Sequence, residues 1–333
     1  MTQSLVRFSC VASLLTAVAG MTPFPVVAEQ APGVIASGAL AVRKLADGGS
    51  LEIVAGDRPV LRYNYQLVPE PPEVKGRINA GNRKYAVPRC DYIHPLYGPK
   101  GEVLTDDWVP DHPHHRGIYW AWPEVDWQGK RGDLHALQQV FARPTGKVDT
   151  AQGPDFAQIT AENEWRWEDR TPIVREQVTI RVGRQAGPGR CVDLHFRFTT
   201  IGENVQVARR GQNLYGGLNV RLSQTTDQQI TPFTDPPTAT PRRAWAQRSG
   251  VPRGGQAAVG LTILQSPTNP DYPGDWVQYP EIFWIQPTFP AAGTRYTIGK
   301  DRPLELHYRL WISEGKLGPE TLKQLWDAYK ASL

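Results

Sequence analysis

Cysteine is scarce: three in 333 residues, of which Cys10 falls in an N-terminal apolar segment and only Cys90 and Cys191 lie beyond it. No C-x-x-C or comparable spacing occurs, which excludes a thiolate zinc site. The chain also lacks a G-x-S-x-G elbow, so no Ser-His-Asp case can be built. It lacks G-x-G-x-x-G and the phosphate-binding loop, which argues against nucleotide and nicotinamide cofactors. Charges of both signs are interspersed around a formal net charge of +4, with no basic run, so nucleic acid has no electrostatic footprint here. Beyond the N-terminal segment no apolar stretch approaches the about 20 residues that a helix needs to cross a bilayer, so no membrane insertion is expected.

The first residues have the order of a secretory signal peptide: Arg7 as the positive residue, an apolar run from Phe8 to Ala19, then Val26 and Ala28 as the small residues before a cut. The expected organisation is a signal peptide over 1–28 and a single domain over 29–333, periplasmic or secreted. In an oxidising compartment Cys90 and Cys191 could pair, and spacing alone leaves that open.

What is plentiful is turn chemistry, with 31 glycines and 30 prolines spread as punctuation. Between them the chain alternates with period two. Val174, Val178, Ile180 and Val182 share one face; so do Val192, Leu194, Phe196 and Phe198; so do Leu304, Leu306, Tyr308, Leu310 and Ile312. Ala257, Val259, Leu261 and Ile263 form a further set, as do Ile159, Ala161, Trp165 and Trp167. These are half-buried antiparallel strands. One helix stands out near the C-terminus, where Pro319 opens a stripe of Leu322, Leu325, Trp326 and Tyr329. The expected fold is all-β, a large antiparallel β-sandwich of roughly 14 to 18 strands with a C-terminal helix. A propeller is the alternative, although no blade-length repeat is visible. The segment Thr231 to Pro241 reads as a surface loop.

Three of the seven histidines crowd into "DHPHHRGIYW", Asp111 to Trp120. In an extended run His112, His114 and Arg116 would share one side and His115 the other. Gly117 would let the chain turn or approach a ligand closely. Imidazoles exchange protons near neutral pH, and a guanidinium grips anionic groups through parallel bonds. Metal binding is a second use of the same residues: His112 and His114 with Asp111, or with the distant His195 or His307, would make a divalent site. No cofactor is expected, and the segment reads as metal-free acid–base chemistry first, with the divalent metal as the second possibility.

Glu176 breaks its pattern by sitting on the apolar face of its strand. A carboxylate there either pairs with a buried cation or has a raised pKa suited to acid–base work. "YGGLNVRL" places Asn219 and Arg221 on one face. The proline-braced "NPDYPGDWVQY" presents Asn269, Tyr272, Trp276 and Tyr279 on a stiff loop.

The blocks "DHPHHRGIYWAW", "YGGLNVRL", "SPTNPDYPGDWVQYPEIFWIQPTF" and "ELHYRLWISEG", in that order, resemble the PmoA-like family, a bacterial domain of unknown function that carries the label "methane oxygenase". The resemblance runs from about Pro59 to Leu333 and implies an exported, β-rich protein from polysaccharide-degrading bacteria. The methane label conflicts with the sequence, because membrane methane oxidation depends on several spanning helices. "HPHHRG" is also similar to the histidine-glycine segment of aldose epimerases, which implies a mutarotase-like supersandwich.

The function expected from the sequence is acid–base chemistry on a sugar or glycoside: an epimerase, lyase or hydrolase. His112, His114 and Glu176 would be catalytic. His115, Arg116, Trp120, Asn219, Arg221, Asn269, Trp276 and Tyr279 would bind the substrate. The alternatives are a non-catalytic carbohydrate-binding protein and a histidine-centred metal-dependent oxidase or hydrolase.

Overall fold

The computed structural model describes residues 38–333 except 188, 212, 237 and 239–241. The segment 1–28, expected to be a signal peptide, lies outside the described residues. Twenty strands occur among those described. The first seven are β1 (Leu40–Lys44), β2 (Ser50–Ala55), β3 (Arg58–Asn64), β4 (Tyr92–Leu96), β5 (Ile118–Ala121), β6 (Glu124–Trp127) and β7 (Lys130–Gly132). The long central strands follow: β8 (Val140–Gly153), β9 (Phe156–Trp167), β10 (Thr171–Ala186) and β11 (Gly189–Thr200). Then come β12 (Val205–Ala208), β13 (Gly217–Arg221), β14 (Thr225–Phe233), β15 (Trp245–Pro252) and β16 (Val259–Gln265). The last are β17 (Trp276–Tyr279), β18 (Trp284–Pro287), β19 (Tyr296–Ile298) and β20 (Leu304–Glu314).

The strands form two eight-stranded antiparallel sheets and a smaller one. The first sheet has the order β1-β2-β3-β4-β5-β13-β18-β17, the second β14-β15-β16-β20-β11-β10-β9-β8, and the third β19-β12-β6-β7. The alternating residues read from the sequence make the second sheet's inner face: Ile159, Ala161, Val178, Ile180, Leu194, Phe196, Leu306 and Tyr308 are all buried in one continuous core. The first sheet answers with Ile118, Trp120, Leu218, Val220 and Ile285. The sheets touch through aromatic pairs, Trp120 on Phe196 at 4.2 Å and Trp122 on Trp165 at 5.6 Å between ring centroids. Burying one such side chain contributes about 1.5–3 kcal/mol. The all-β sandwich read from the sequence is therefore the fold.

The C-terminal helix spans Pro319–Ala331, with Gly318 at its N-cap and Pro319 in its first turn. Leu322, Trp326 and Tyr329 pack on Trp245, Leu264 and Trp311, so the helix covers part of the second sheet's outer face. That cover explains why β16 is buried on both sides. One local expectation fails. Thr231–Phe233 belongs to β14 instead of a loop, because its backbone pairs with Trp245–Gln247 of β15. The pairing that the sequence leaves open does not occur: among the described residues Cys90 and Cys191 are unbonded; the Cys90 thiol contacts the Ala142 carbonyl in the core, whereas Cys191 lies on the outward side of β11. No helix among the described residues is long and apolar enough to cross a membrane.

Candidate functional site

β5 decides where the site lies. Its side chains alternate, so Trp120 enters the inter-sheet core while Tyr119 stands on the first sheet's outer face. Across the ladder Asn219 faces Tyr119, and Arg221 faces Trp284 of β18, on that same outer side. Loops cover this face and leave a cavity of about 410 Å³. Its walls include His112, His114, His115, His135, Tyr279 and Trp284.

The histidine segment is not extended. The amide of His112 donates to the Val109 carbonyl at 3.0 Å, and that of His115 to His112 at 2.9 Å. Two successive turns bring all three imidazoles to one place, so the expected alternation of His115 away from His112 and His114 does not occur. Gly117 has a φ of 53°, and a Cβ there would lie 2.2 Å from the Ile93 carbonyl oxygen. Its glycine serves close packing on β4, with no ligand involved.

The fourth histidine, His135, was not expected. It sits in the turn closed by the Asp133–Gln138 bridge. Its amide donates to the Trp122 carbonyl at 3.2 Å, and Arg89 donates to the carbonyls of Leu134 and His135 at 2.9 and 2.5 Å. Arg89 also lies 4.5 Å over the Tyr119 ring. Tyr119 Oη is 3.0 Å from His135 Nε2, which leaves Nδ1 for another partner. His135 stands 20 positions beyond His115 with no recognisable spacing, so only the fold reveals it.

His114, His115 and His135 each offer a ring nitrogen, and these lie within 4.8 Å of one another. His114 meets His115 edge-on at 4.4 Å and His135 at 5.2 Å. Burial, with Arg89 next, pulls the His114 pKa down to about 3. Burial likewise holds His115 and His135 well below the usual imidazole range, with His114 the next contributor for each. The three rings are neutral at physiological pH, the form that ligates metals. His112 differs. It stacks on His115 at 4.6 Å, is half-buried at the cavity rim, and has Nδ1 3.0 Å from an Asp111 carboxylate oxygen. The second oxygen of Asp111 faces Arg221 at 3.5 Å. Asp111 is therefore engaged by His112 and Arg221, and the metal-capable set is His114, His115 and His135 in place of the expected His112, His114 and Asp111.

The other expected site residues divide clearly. Arg221 is not part of the cavity wall but stands behind it, 3.5 Å from His115 Nδ1. Arg116 is fully buried, paired with Asp107 and stacked 3.8 Å over Trp108, so it braces the loop and reaches no ligand. Asn219 is fully buried and accepts from Gln286 at 2.6 Å. Trp276 donates to the Arg243 carbonyl at 2.8 Å and lies outside the cavity wall. Asn269 bonds the His307 backbone in both directions, at 2.9 and 2.7 Å.

Trp120 and Glu176 form a separate centre. Glu176 accepts from the indoles of Trp120 and Trp165, the latter at 2.6 Å. It also shares a hydrogen bond with Asp91, which itself accepts from Tyr63 at 2.7 Å. Burial, then the Asp91 charge, push the Glu176 pKa well above the carboxylate range. The raised pKa matches the sequence reading, but the expected catalytic role does not follow. Glu176 faces the inter-sheet core, on the opposite side of β5 from the histidines.

The sequence model described as "Family of unknown function (DUF6807)" matches residues 50–327. The chain belongs to this family. The DUF6807 match spans both eight-stranded sheets apart from the edge strand β1, and every histidine of the cavity. No curated protein matches the chain in sequence. Among solved structures it is similar to the 4-alpha-glucanotransferase from Thermococcus litoralis, with a TM-score of 0.29 and 10% identity. That likeness covers 84% of this chain and 38% of the other; no role is carried over from it.

Proposed function

We propose that the cavity is the active site of a metal-dependent enzyme acting on a sugar-sized, polyhydroxylated substrate, with His114, His115 and His135 holding a divalent transition-metal ion. The observation that carries this reading is the convergence of three buried, neutral imidazoles, each with a ring nitrogen within 4.8 Å of the others, on one cavity. Three histidines leave coordination positions open, the arrangement of a catalytic rather than a closed structural centre. Such an ion would polarise a substrate oxygen or lower the pKa of a bound water.

The surrounding residues have their own tasks. Tyr119 fixes the orientation of the His135 ring from behind, as outer partners of metal-bound imidazoles do. His112, oriented by Asp111, is placed at the rim to take or give a proton. Tyr85, Tyr215, Tyr279 and Trp284 supply aromatic walls for the C–H faces of a sugar ring, and Arg210 reaches the cavity while paired with Asp133 at 2.6 Å. The volume lies within the range of small-molecule sites, about 300–1,000 Å³. The N-terminal segment supports placing this activity in the periplasm or outside the cell.

Zinc titration of the full chain tests the centre. His135→Ala should bind one equivalent fewer than wild type and should lose turnover on a panel of mono- and oligosaccharides. Undiminished zinc binding by His135→Ala would overturn the metal reading. Sugar turnover surviving in that variant would then leave His112 acid–base chemistry without a metal.

A further inference from the structure

We propose a second metal site on the outer face of the second sheet, formed by His195, His307 and Glu305 and suited to zinc or a similar divalent transition-metal ion. His195 of β11 lies directly opposite His307 of β20. The backbone of His307 does not bond to β11. Its carbonyl accepts from Ser266, and its amide donates to Asn269 Oδ1 at 2.7 Å. The two histidines are therefore a non-hydrogen-bonded antiparallel pair, the kind in which opposed side chains stand closest. Their rings stack at 4.1 Å, 10° from parallel.

The neighbouring pairs on this face show what is unusual. One step along the ladder, Asp193 meets Arg309 at 2.5 Å; one step the other way, Arg197 is bonded to Glu305. Each flanking pair matches a cation to an anion, whereas the central pair sets two imidazoles against each other. Glu305 resolves the arrangement. Its Oε1 accepts from Arg197, and its Oε2 faces both imidazoles, 3.4 Å from His195 Nε2 and 4.0 Å from His307 Nε2. Among the described residues His195 Nε2 has no hydrogen-bond partner. Two ring nitrogens and one carboxylate oxygen thus converge, all within 4.8 Å, on residues that are each partly exposed. An N₂O set with water is a common zinc environment. Asn269, held to the His307 backbone on both sides, is a positioning residue here.

β11 and β20 are the two middle strands of their sheet, so an ion at this place would cross-link its centre. It is separate from the cavity, which lies on the far side of the first sheet.

The test is zinc titration of the full chain, with wild type, His135→Ala, His195→Ala/His307→Ala and Glu305→Gln compared. Wild type should take two equivalents. His135→Ala should keep the outer one, and the double variant should keep the one in the cavity. A double variant that binds as wild type does would overturn the outer site and leave the cavity reading intact. A single equivalent lost only in the double variant would do the reverse. If the double variant does not fold, Glu305→Gln decides: outer-site affinity should fall at least about tenfold, and unchanged affinity overturns the proposal.

Discussion

Glu176 is fully buried between two indoles and a second carboxyl group. Asp91 and Glu176 titrate as one unit, and the folded chain holds a proton on Glu176. Because its folded pKa is raised, the group's contribution to stability is complete below about pH 4.5 and is lost as pH rises through the folded value. Glu176→Gln cannot accept from both indoles, and the orphaned N–H should cost about 1–3 kcal/mol in acid. The deficit should shrink as the wild type weakens toward alkaline pH. Urea unfolding at about pH 5 and about pH 9 measures this, and a deficit equal at the two values would show that no proton is held. At this scale the sequence is half informative. A carboxyl group on an apolar face announces a raised pKa, but the strand's own alternation does not say which protein layer that face meets. The same limit applies to Arg116, whose charge suggested a ligand and whose partners are Asp107, Tyr92 and Trp108.

Elements were more legible than sites. Period-two alternation located β9, β10, β11 and β20 because each turns a continuous apolar row toward the inter-sheet core. β5 and β13, buried on both faces, carry no such signal, and they stand behind the cavity wall, through Tyr119 on His135 and Arg221 beside His115. The turn of Asp111 to Gly117 departs from the extended run: Pro113 favours extended backbone in the residue before it, but two backbone hydrogen bonds impose turns instead. The C-terminal helix was legible from its stripe. Trp326 fills its centre, buried, with its indole donating to Asp235 at 2.8 Å. Trp326→Ala should cost about 3–5 kcal/mol in denaturant unfolding. A loss below about 1 kcal/mol would mean that the helix contributes little to holding the second sheet.

For the whole molecule, two proposed ions sit on opposite outer faces, one on each large sheet. Each binds the folded chain alone, so zinc at about 100 times its dissociation constant should stabilise by about 2.7 kcal/mol per site. Thermal unfolding should rise by several degrees on adding zinc and return to the metal-free value with a chelator. The His135→Ala chain should show part of the shift. No response to zinc in wild type would count against both ions at once. How the two faces are assigned was not legible from the sequence, since sheet order depends on pairings such as β5 with β13, nearly a hundred residues apart.

The four-residue strand Ile118–Ala121 has one further consequence, for how this family can change. Tyr119 serves the histidines on one side and Trp120 the carboxyl pair on the other. A one-residue insertion or deletion there would exchange the two faces, sending an indole into the cavity and a phenol into the core. Mutational drift can lengthen the covering loops freely, but this strand can vary only by substitution. The proposed activity and the fold would be inherited through it together.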